Sequence, residues 1–214
     1  RDLIKFLMKE VSFPEKGLAY RYRRKIIDTG HSEFISDLDA LPMPSYHLID
    51  FLSYANNYSD RKSVDAPADY PYARIVTSRG CPYMCSFCQV PYIQGRKFRW
   101  RSVDNIIDEI KWLKNTYGIK AIIFDDDNLF THPNRAKELF QAMIDNDVAL
   151  PWLTIATAVF RLDKEMIDLM AASGCQYIDV AIESGSERVI RKIVNKPIIF
   201  DKAKELIDYA MKKN

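Results

Sequence analysis

Residues 73–88 read ARIVTSRGCPYMCSFC, and this stretch decides how the rest of the chain is interpreted. Its first six residues are predicted to form a strand, and the loop that follows carries Cys81, Cys85 and Cys88 in a CxxxCxxC spacing. Three thiolates on one short loop can converge on a single site. Three cysteine ligands suit a four-iron cluster whose fourth iron is left open to a small molecule.

A structural zinc site is the alternative for this loop, and zinc would require a fourth ligand. Cys175 is the candidate, but it follows Gly174, which ends a predicted helix, and so it enters the next strand at its amino end. The loop and Cys175 should then lie at opposite ends of the sheet, roughly 20 Å apart at ~3.3 Å per residue. The sequence therefore favours the cluster and predicts that Cys175 is a buried core thiol.

Composition narrows the class of protein. The chain has 214 residues and is 48% apolar, enough for one large domain with a core. No apolar run is long enough to cross a bilayer, and the clustering of three of the four cysteines argues against a disulfide framework, so we expect a cytoplasmic location and no membrane partner. The 31 basic and 29 acidic residues are spread along the chain, which gives no support for nucleic-acid binding. The first residue is Arg1, and we expect both ends to be truncated.

Strand and helix patterns alternate from residue 73 onward, as in parallel βαβ units. The predicted strands are 73–78, 121–124, 153–157 and 177–182, and the predicted helices are 103–116, 134–145, 163–174, 187–194 and 202–212. Ser102 and Asp163 are the expected caps of the first and third helices, and each of the first two helices has one apolar stripe. No glycine-rich phosphate loop follows any strand, which disfavours a nucleotide-binding doubly wound sheet. We therefore predict an α/β fold, a partial (β/α) barrel with parallel strands that stops after the fourth βα unit, over residues 73–214.

The N-terminal region is less regular. Residues 1–10 have the apolar spacing of a helix, 18–29 alternate like a hairpin, and 38–49 contain two prolines that exclude a regular helix. Residues 56–72 are polar and indicate a linker. The expected domains are thus a small irregular connector at 1–72 and the partial barrel at 73–214.

The cysteine loop, with Phe87 directly before the last cysteine and a strand directly before the loop, resembles the signature of the radical S-adenosylmethionine (SAM) superfamily. The resemblance implies a [4Fe-4S] cluster held by the three cysteines, with Phe87 beside the cofactors. It further implies that SAM chelates the open iron and is split by one electron into methionine and a 5′-deoxyadenosyl radical. An external electron donor such as flavodoxin or ferredoxin is implied as well.

Two further segments resemble SAM-binding parts of that superfamily. The stretch 124–131, FDDDNLFT, resembles the segment that binds the SAM amino group and implies that role for Asp126 or Asp127. The common Gly-Gly-Glu form is not present here, so the choice between them stays open, and helix capping is the alternative for either carboxylate.

The stretch 181–186, AIESGS, resembles the segment that contacts the ribose and methionine of SAM, which implies roles for Glu183 and Ser184. Alternation along the fourth strand places Ile178, Val180 and Ile182 toward the helices and Glu183 at the cavity mouth, although capping of the next helix is an alternative role for its carboxylate. Thr157 is a further candidate from the third strand.

The stretch 37–50, DLDALPMPSYHLID, resembles the connector between a cobalamin-binding domain and a radical SAM domain. That resemblance implies that residues 1–72 include the tail of such a domain, that cobalamin is a further cofactor, and that the reaction is a methylation or a related radical transformation of a small molecule or peptide. A methylthiotransferase-like enzyme is the alternative within the superfamily. From other classes, an iron–sulfur electron carrier, which generally has four cysteine ligands, and a zinc-stabilised module are the alternatives.

Overall fold

The computed structural model describes residues 2–11, 16–56, 70–155 and 157–213, which fall into two compact units on either side of the Ser36–Asp37 bond. The first unit contains helix α1 (Asp2–Leu7) and an antiparallel hairpin of β1 (Ala19–Tyr22) and β2 (Lys25–Asp28). The predicted helix and hairpin are thereby confirmed. Most of the expected linker at 56–72 lies outside the described residues.

The second unit is built on parallel strands that follow the chain in order. Its described strands are β3 (Tyr72–Ile75), β4 (Ser78–Arg79), β5 (Arg99–Trp100), β6 (Ala121–Phe124) and β7 (Trp152–Thr154). Strands β3, β6 and β7 form one parallel sheet, with Ile75 opposite Phe124 and Phe124 opposite Thr154. All three strands therefore end at the same edge, and the loops that follow them are neighbours.

Helices connect these strands. They are α2 (Phe51–Ala55), α3 (Val90–Ile93), α4 (Val103–Tyr117), α5 (Pro133–Asp145), α6 (Lys164–Ala172), α7 (Glu187–Val189), which continues as a π-helix over Ile190–Val194, and α8 (Phe200–Ala210). The predicted caps of α4 and α6 are confirmed: Ser102 accepts a hydrogen bond from the backbone N–H of Asn105, and Asp163 accepts one from Met166.

The core lies mainly between the sheet and these helices. Alternate strand residues, among them Ile75, Ile122 and Phe124, join the apolar face of the helices, whereas Ala121 and Ile123 form a smaller cluster on the opposite face of the sheet. Helices α4 and α5 each have an apolar stripe at 3.6-residue spacing, and this stripe is buried in both helices, as predicted.

Three predicted strand boundaries need correction. The first strand stops at Ile75 instead of Ser78, because Ser78 and Arg79 leave the sheet and pair antiparallel with Trp100 and Arg99. The third strand is limited to Trp152–Thr154.

The predicted fourth strand at 177–182 is present only as two isolated parallel bridges, Trp152 with Cys175 and Thr157 with Val180. The backbone hydrogen bonds around these bridges include one from Gln176 N–H to the Trp152 oxygen at 2.9 Å and one from Thr157 N–H to the Asp179 oxygen at 2.6 Å. Ile178 and Val180 nevertheless pack against the helix-side core, as the predicted alternation requires.

Residues 37–56 pack within the second unit. Phe51 and Ala55 are buried in the main core. The Tyr46 hydroxyl donates a hydrogen bond of 2.6 Å to Glu109 Oε1, and burial next to that carboxylate raises the pKa of Tyr46. Arg101 forms an ion pair with the same buried Glu109. Among the described residues, no helix is long and apolar enough to cross a membrane.

Candidate functional site

The cysteine loop begins at a backbone position that only glycine fits. Gly80 has φ +86°, and a Cβ atom placed there would lie 2.5 Å from the carbonyl oxygen of Lys97 and 2.9 Å from that of Gly95. The backbone N–H of Cys81 donates to the Gly95 oxygen at 3.2 Å. Residues 95–97 and the β4–β5 pair thus hold the start of the loop at the carboxyl edge of the sheet.

Cys81, Cys85 and Cys88 are free thiols that lie close enough to interact electrostatically. Burial raises the pKa of Cys81, and a hydrogen bond from the side chain of Asn128 opposes that rise. Burial also raises the pKa of Cys85, and the ammonium group of Lys196 opposes it. The loop therefore has both a neutral donor and a cation positioned to stabilise thiolates.

Three cysteines on one loop match the donor set of a four-iron cluster with one open iron. Within the described residues, no three His, Cys, Asp or Glu side chains are grouped closely enough to hold one metal ion. Zinc draws all its ligands to about 2.3 Å around one centre, whereas a four-iron cluster takes each cysteine on a separate iron.

Cys175 lies at the other edge of the sheet, as predicted. It bridges to Trp152, the first residue of β7, and its Sγ donates to the carbonyl oxygen of Tyr177 at 3.4 Å. It packs against the apolar core, and burial raises its pKa to about 12. Cys175 therefore cannot share a metal site with the three cysteines of the loop.

The three aspartates after β6 have three different surroundings. Asp125 forms a bidentate ion pair with Arg74, at 2.9 and 3.0 Å, near the surface. Asp126 is buried and accepts hydrogen bonds from the backbone and hydroxyl of Thr77 and from the Ser78 hydroxyl. Asp127 is exposed and accepts from the Gly80 backbone N–H at 3.1 Å.

Asp126 belongs to a buried polar network beneath the loop. Arg135, also buried, donates to the Thr77 hydroxyl at 2.8 Å and to the Thr77 carbonyl oxygen at 3.0 Å. Burial raises the pKa of Asp126, and the nearby Ser78 hydroxyl and Arg135 guanidinium oppose that shift. The network fixes Thr77 and Ser78 where the chain leaves β3, which explains why that strand ends early.

The remaining predicted residues lie at the same edge of the sheet. Thr157 is buried, bridges to Val180, and its hydroxyl has no hydrogen-bond partner among the described residues. Glu183 follows that segment with φ +73° and forms an ion pair of 2.9 Å with Lys196. The Ser184 hydroxyl accepts a hydrogen bond from the Ser186 backbone, and Phe87 is exposed on the loop.

Sequence reasoning missed three residues of this site: Asn128, Arg135 and Lys196. Asn128 is buried beside Cys81, with its carbonyl oxygen unpaired among the described atoms. Arg135 occupies a position in the first turn of α5 where an exposed residue would be expected, and Lys196 lies beyond the end of a helix. For Arg135 the available signal was a charge beside the apolar stripe of α5, and Asn128 lies within the stretch 124–131 that resembles a SAM-binding segment.

A parallel sheet of βα units with a three-cysteine loop at its carboxyl edge defines a class of enzymes that use an iron–sulfur cluster held by a βα scaffold. Comparison with protein families identifies the member of that class: a model described as the radical SAM superfamily matches residues 75–214. The chain belongs to the radical SAM superfamily.

Individual relatives share both sequence and fold. The chain is 35% identical over 204 residues to cytidylyl-2-hydroxyethylphosphonate methyltransferase of Streptomyces wedmorensis, covering 92% of this chain and 37% of the relative. It is 28% identical over 169 residues to ribosomal protein uS12 methylthiotransferase RimO of Pelodictyon phaeoclathratiforme, covering 76% and 38%. The chain therefore spans less than two fifths of either relative.

Among solved structures, the cobalamin-dependent SAM radical enzyme OxsB superposes with a TM-score of 0.73 at 20% identity, covering all of this chain and 30% of that one. This likeness confirms the fold class, a partial (β/α) barrel of the radical SAM type with parallel strands.

Proposed function

We propose that Cys81, Cys85 and Cys88 hold a [4Fe-4S] cluster that cleaves SAM reductively, and that the protein is a cobalamin-dependent radical SAM methyltransferase. One observation carries the proposal: three free thiols share one loop at the carboxyl edge of the sheet, while the fourth cysteine lies at the opposite edge. Superfamily membership gives the reaction class, and the cluster supplies the electron that breaks a carbon–sulfur bond of SAM.

The chain's own residues would bind and orient the cofactors. Asn128 donates to Cys81 and would stabilise its thiolate, and Phe87, exposed on the loop, would contact a ligand at the open iron. Since Asp126 already accepts three hydrogen bonds in the buried network, the role of binding the SAM amino group goes to Asp127. Asp126 holds the loop in place from below.

At the other side of the same edge, Thr157, Glu183 and Ser184 would complete the SAM site. Glu183 offers a carboxylate suited to ribose hydroxyls, and its ion pair with Lys196 fixes the direction of that carboxylate. The unpartnered, buried Thr157 hydroxyl is available to a ligand, and Ser184 contributes a short polar side chain to the same turn.

The methyltransferase subtype rests on the relatives. The Streptomyces wedmorensis relative is named a methyltransferase, and OxsB is described as cobalamin-dependent. We propose cobalamin as a third cofactor, with residues 1–72 as the connector that follows its domain, a small-molecule or peptide substrate, and flavodoxin or ferredoxin as electron donor. Unpaired thiols are typical of the cytoplasm, which we propose as the location.

Anaerobic reconstitution of the full-length protein with iron and sulfide tests the cluster. We expect about four irons per chain and an electron paramagnetic resonance signal that changes when SAM is added. Stoichiometric zinc in place of iron would contradict the proposal.

Product analysis of the full-length protein tests the subtype. We expect bound cobalamin after purification and transfer of a labelled methyl group from SAM. Sulfur transferred with the methyl group, in a protein without cobalamin, would instead identify a methylthiotransferase.

A further inference from the structure

The tip of the cysteine loop, residues 84–86, is hydrogen-bonded to the end of the π-helix Ile190–Val194, more than a hundred residues away in the sequence. The backbone N–H of Ser86 donates to the carbonyl oxygen of Val194 at 3.0 Å. The side-chain amide of Asn195 donates to the carbonyl oxygen of Met84, also at 3.0 Å. Because Met84 and Ser86 flank Cys85, these two bonds hold the middle cysteine from both sides.

The backbone around Asn195 is shaped to make this contact. The π-helix Ile190–Val194 ends at Asn195, which adopts the left-handed conformation with φ 58°. Asparagine tolerates that conformation better than most residues, and π-helical turns often occur at functional sites. Ile190 is fully buried, so the turn is anchored in the core while its end reaches the loop.

Lys196, the next residue, braces the end of the fourth strand segment. Its ammonium group donates to the Ala181 carbonyl oxygen and to Glu183 Oε1, and its side chain is 10% exposed. The same ammonium group lies within electrostatic range of Cys85. One short turn therefore touches both the cysteine loop and the Glu183 turn.

We propose that the turn Val194–Lys196 positions the cluster ligand Cys85, with Asn195 holding the loop tip and Lys196 providing a fixed positive charge beside it. This inference rests on the proposed function, because it presupposes a cluster on the loop. Reduction by one electron adds negative charge to the cluster, and a nearby buried cation stabilises that added charge. Lys196 therefore raises the reduction potential, whereas Asn195 governs how tightly the cluster is retained.

The test uses the full-length protein, reconstituted anaerobically, with two pairs of variants. Asn195→Gly keeps the left-handed backbone and deletes the amide donor, and Asn195→Asp replaces the donor by an acceptor. Asn146→Gly is the control, since Asn146 also caps a helix through its amide, but its side chain bonds to Ala142 of α5 and Lys111 of α4 and not to the cysteine loop. We expect release of iron to a chelator to be about fivefold faster in both Asn195 variants, the effect of one lost hydrogen bond, and unchanged in the control.

The second pair of variants is compared by the midpoint potential of the cluster, measured without SAM. Lys196→Met should shift this potential to more negative values, and Lys196→Arg, which keeps the positive charge, should leave it at the wild-type value. Lys137→Met, which removes another largely buried lysine paired with Asp163, controls for loss of stability. Wild-type iron release in both Asn195 variants, or a wild-type potential in Lys196→Met, would overturn the inference. Failure of the wild-type protein to assemble a cluster would instead overturn the proposed function.

Discussion

The two edges of the parallel sheet bury different kinds of residues. At the carboxyl edge the buried set is polar and charged, and includes Asp126, Asn128 and Arg135. At the amino edge the first residues of the three strands, Tyr72, Ala121 and Trp152, are buried, and the buried Ser173 hydroxyl accepts a hydrogen bond from the indole N–H of Trp152 at 3.1 Å. Burying a polar group costs free energy unless the group is hydrogen-bonded. The buried polar residues of this protein therefore need a hydrogen-bonded network at the edge where the cysteine loop lies.

The cysteines give the sharpest contrast between the edges. Cys85→Ala should abolish assembly of the four-iron cluster, because the remaining two thiolates cannot hold it, whereas Cys175→Ala should retain a full complement of iron. Iron and sulfide analysis after anaerobic reconstitution measures both. Loss of the cluster in Cys175→Ala would remove the distinction between the two edges.

The buried network should dominate stability at the carboxyl edge. Asp126→Ala removes the acceptor of the hydrogen bonds from Thr77 and Ser78 and the negative charge near the buried Arg135, and should lower the free energy of unfolding by about 3–5 kcal/mol. Asp125 lies on the same loop as Asp126 and forms a surface ion pair with Arg74 of β3. Asp125→Ala should therefore lower the free energy of unfolding by at most about 1 kcal/mol. Urea unfolding of the cluster-free proteins measures the difference, and similar losses in the two variants would mean that the network adds nothing.

Two glycines with positive φ sharpen the comparison. Gly80→Ala should cost about 2 kcal/mol or more beyond Gly118→Ala, because its Cβ would meet two backbone carbonyls, whereas Gly118, at the end of α4, has open space. Both variants carry the same left-handed backbone penalty, so thermal unfolding isolates the clash. Equal stabilities would show that residues 95–97 can move away from the loop.

The prediction that leaves the fold least disturbed concerns the reactivity of the Cys175 thiol. With a pKa of about 12, only about one in ten thousand Cys175 thiols is ionised at pH 8, and each unit of higher pH raises that fraction about tenfold. In the cluster-free folded protein, alkylation of Cys175 should therefore lag behind its rate in urea by orders of magnitude, as peptide mass spectrometry would show. Rapid labelling of Cys175 at pH 8 in the folded state would contradict its placement in the core.

Local patterns in the sequence predicted most of the scaffold. Strand β6 and the caps Ser102 and Asp163 were predicted correctly, since apolar periodicity and capping depend on neighbouring residues. The pairing of β4 with β5 was not predicted, because it depends on Asp126, 48 positions beyond Ser78, capturing the end of β3.

The site was predictable as a location but not as a set of roles. The order of βα units placed Asp127, Thr157 and Glu183 at one edge. It could not separate Asp126 from Asp127, since adjacent carboxylates look alike in sequence and differ only in burial. Nor could it bring Asn195, more than a hundred residues away, onto the cysteine loop.

The contact between Tyr46 and Glu109 has a practical consequence for recombinant fragments. A fragment cut at residue 72, where composition changes, would remove the hydroxyl that bonds the buried Glu109 and would strip Phe51 and Ala55 from the core. The exposed apolar surface and the lost hydrogen bond to this buried carboxylate would favour aggregation during expression. A fragment intended for crystallisation or spectroscopy should therefore begin at or before Asp37.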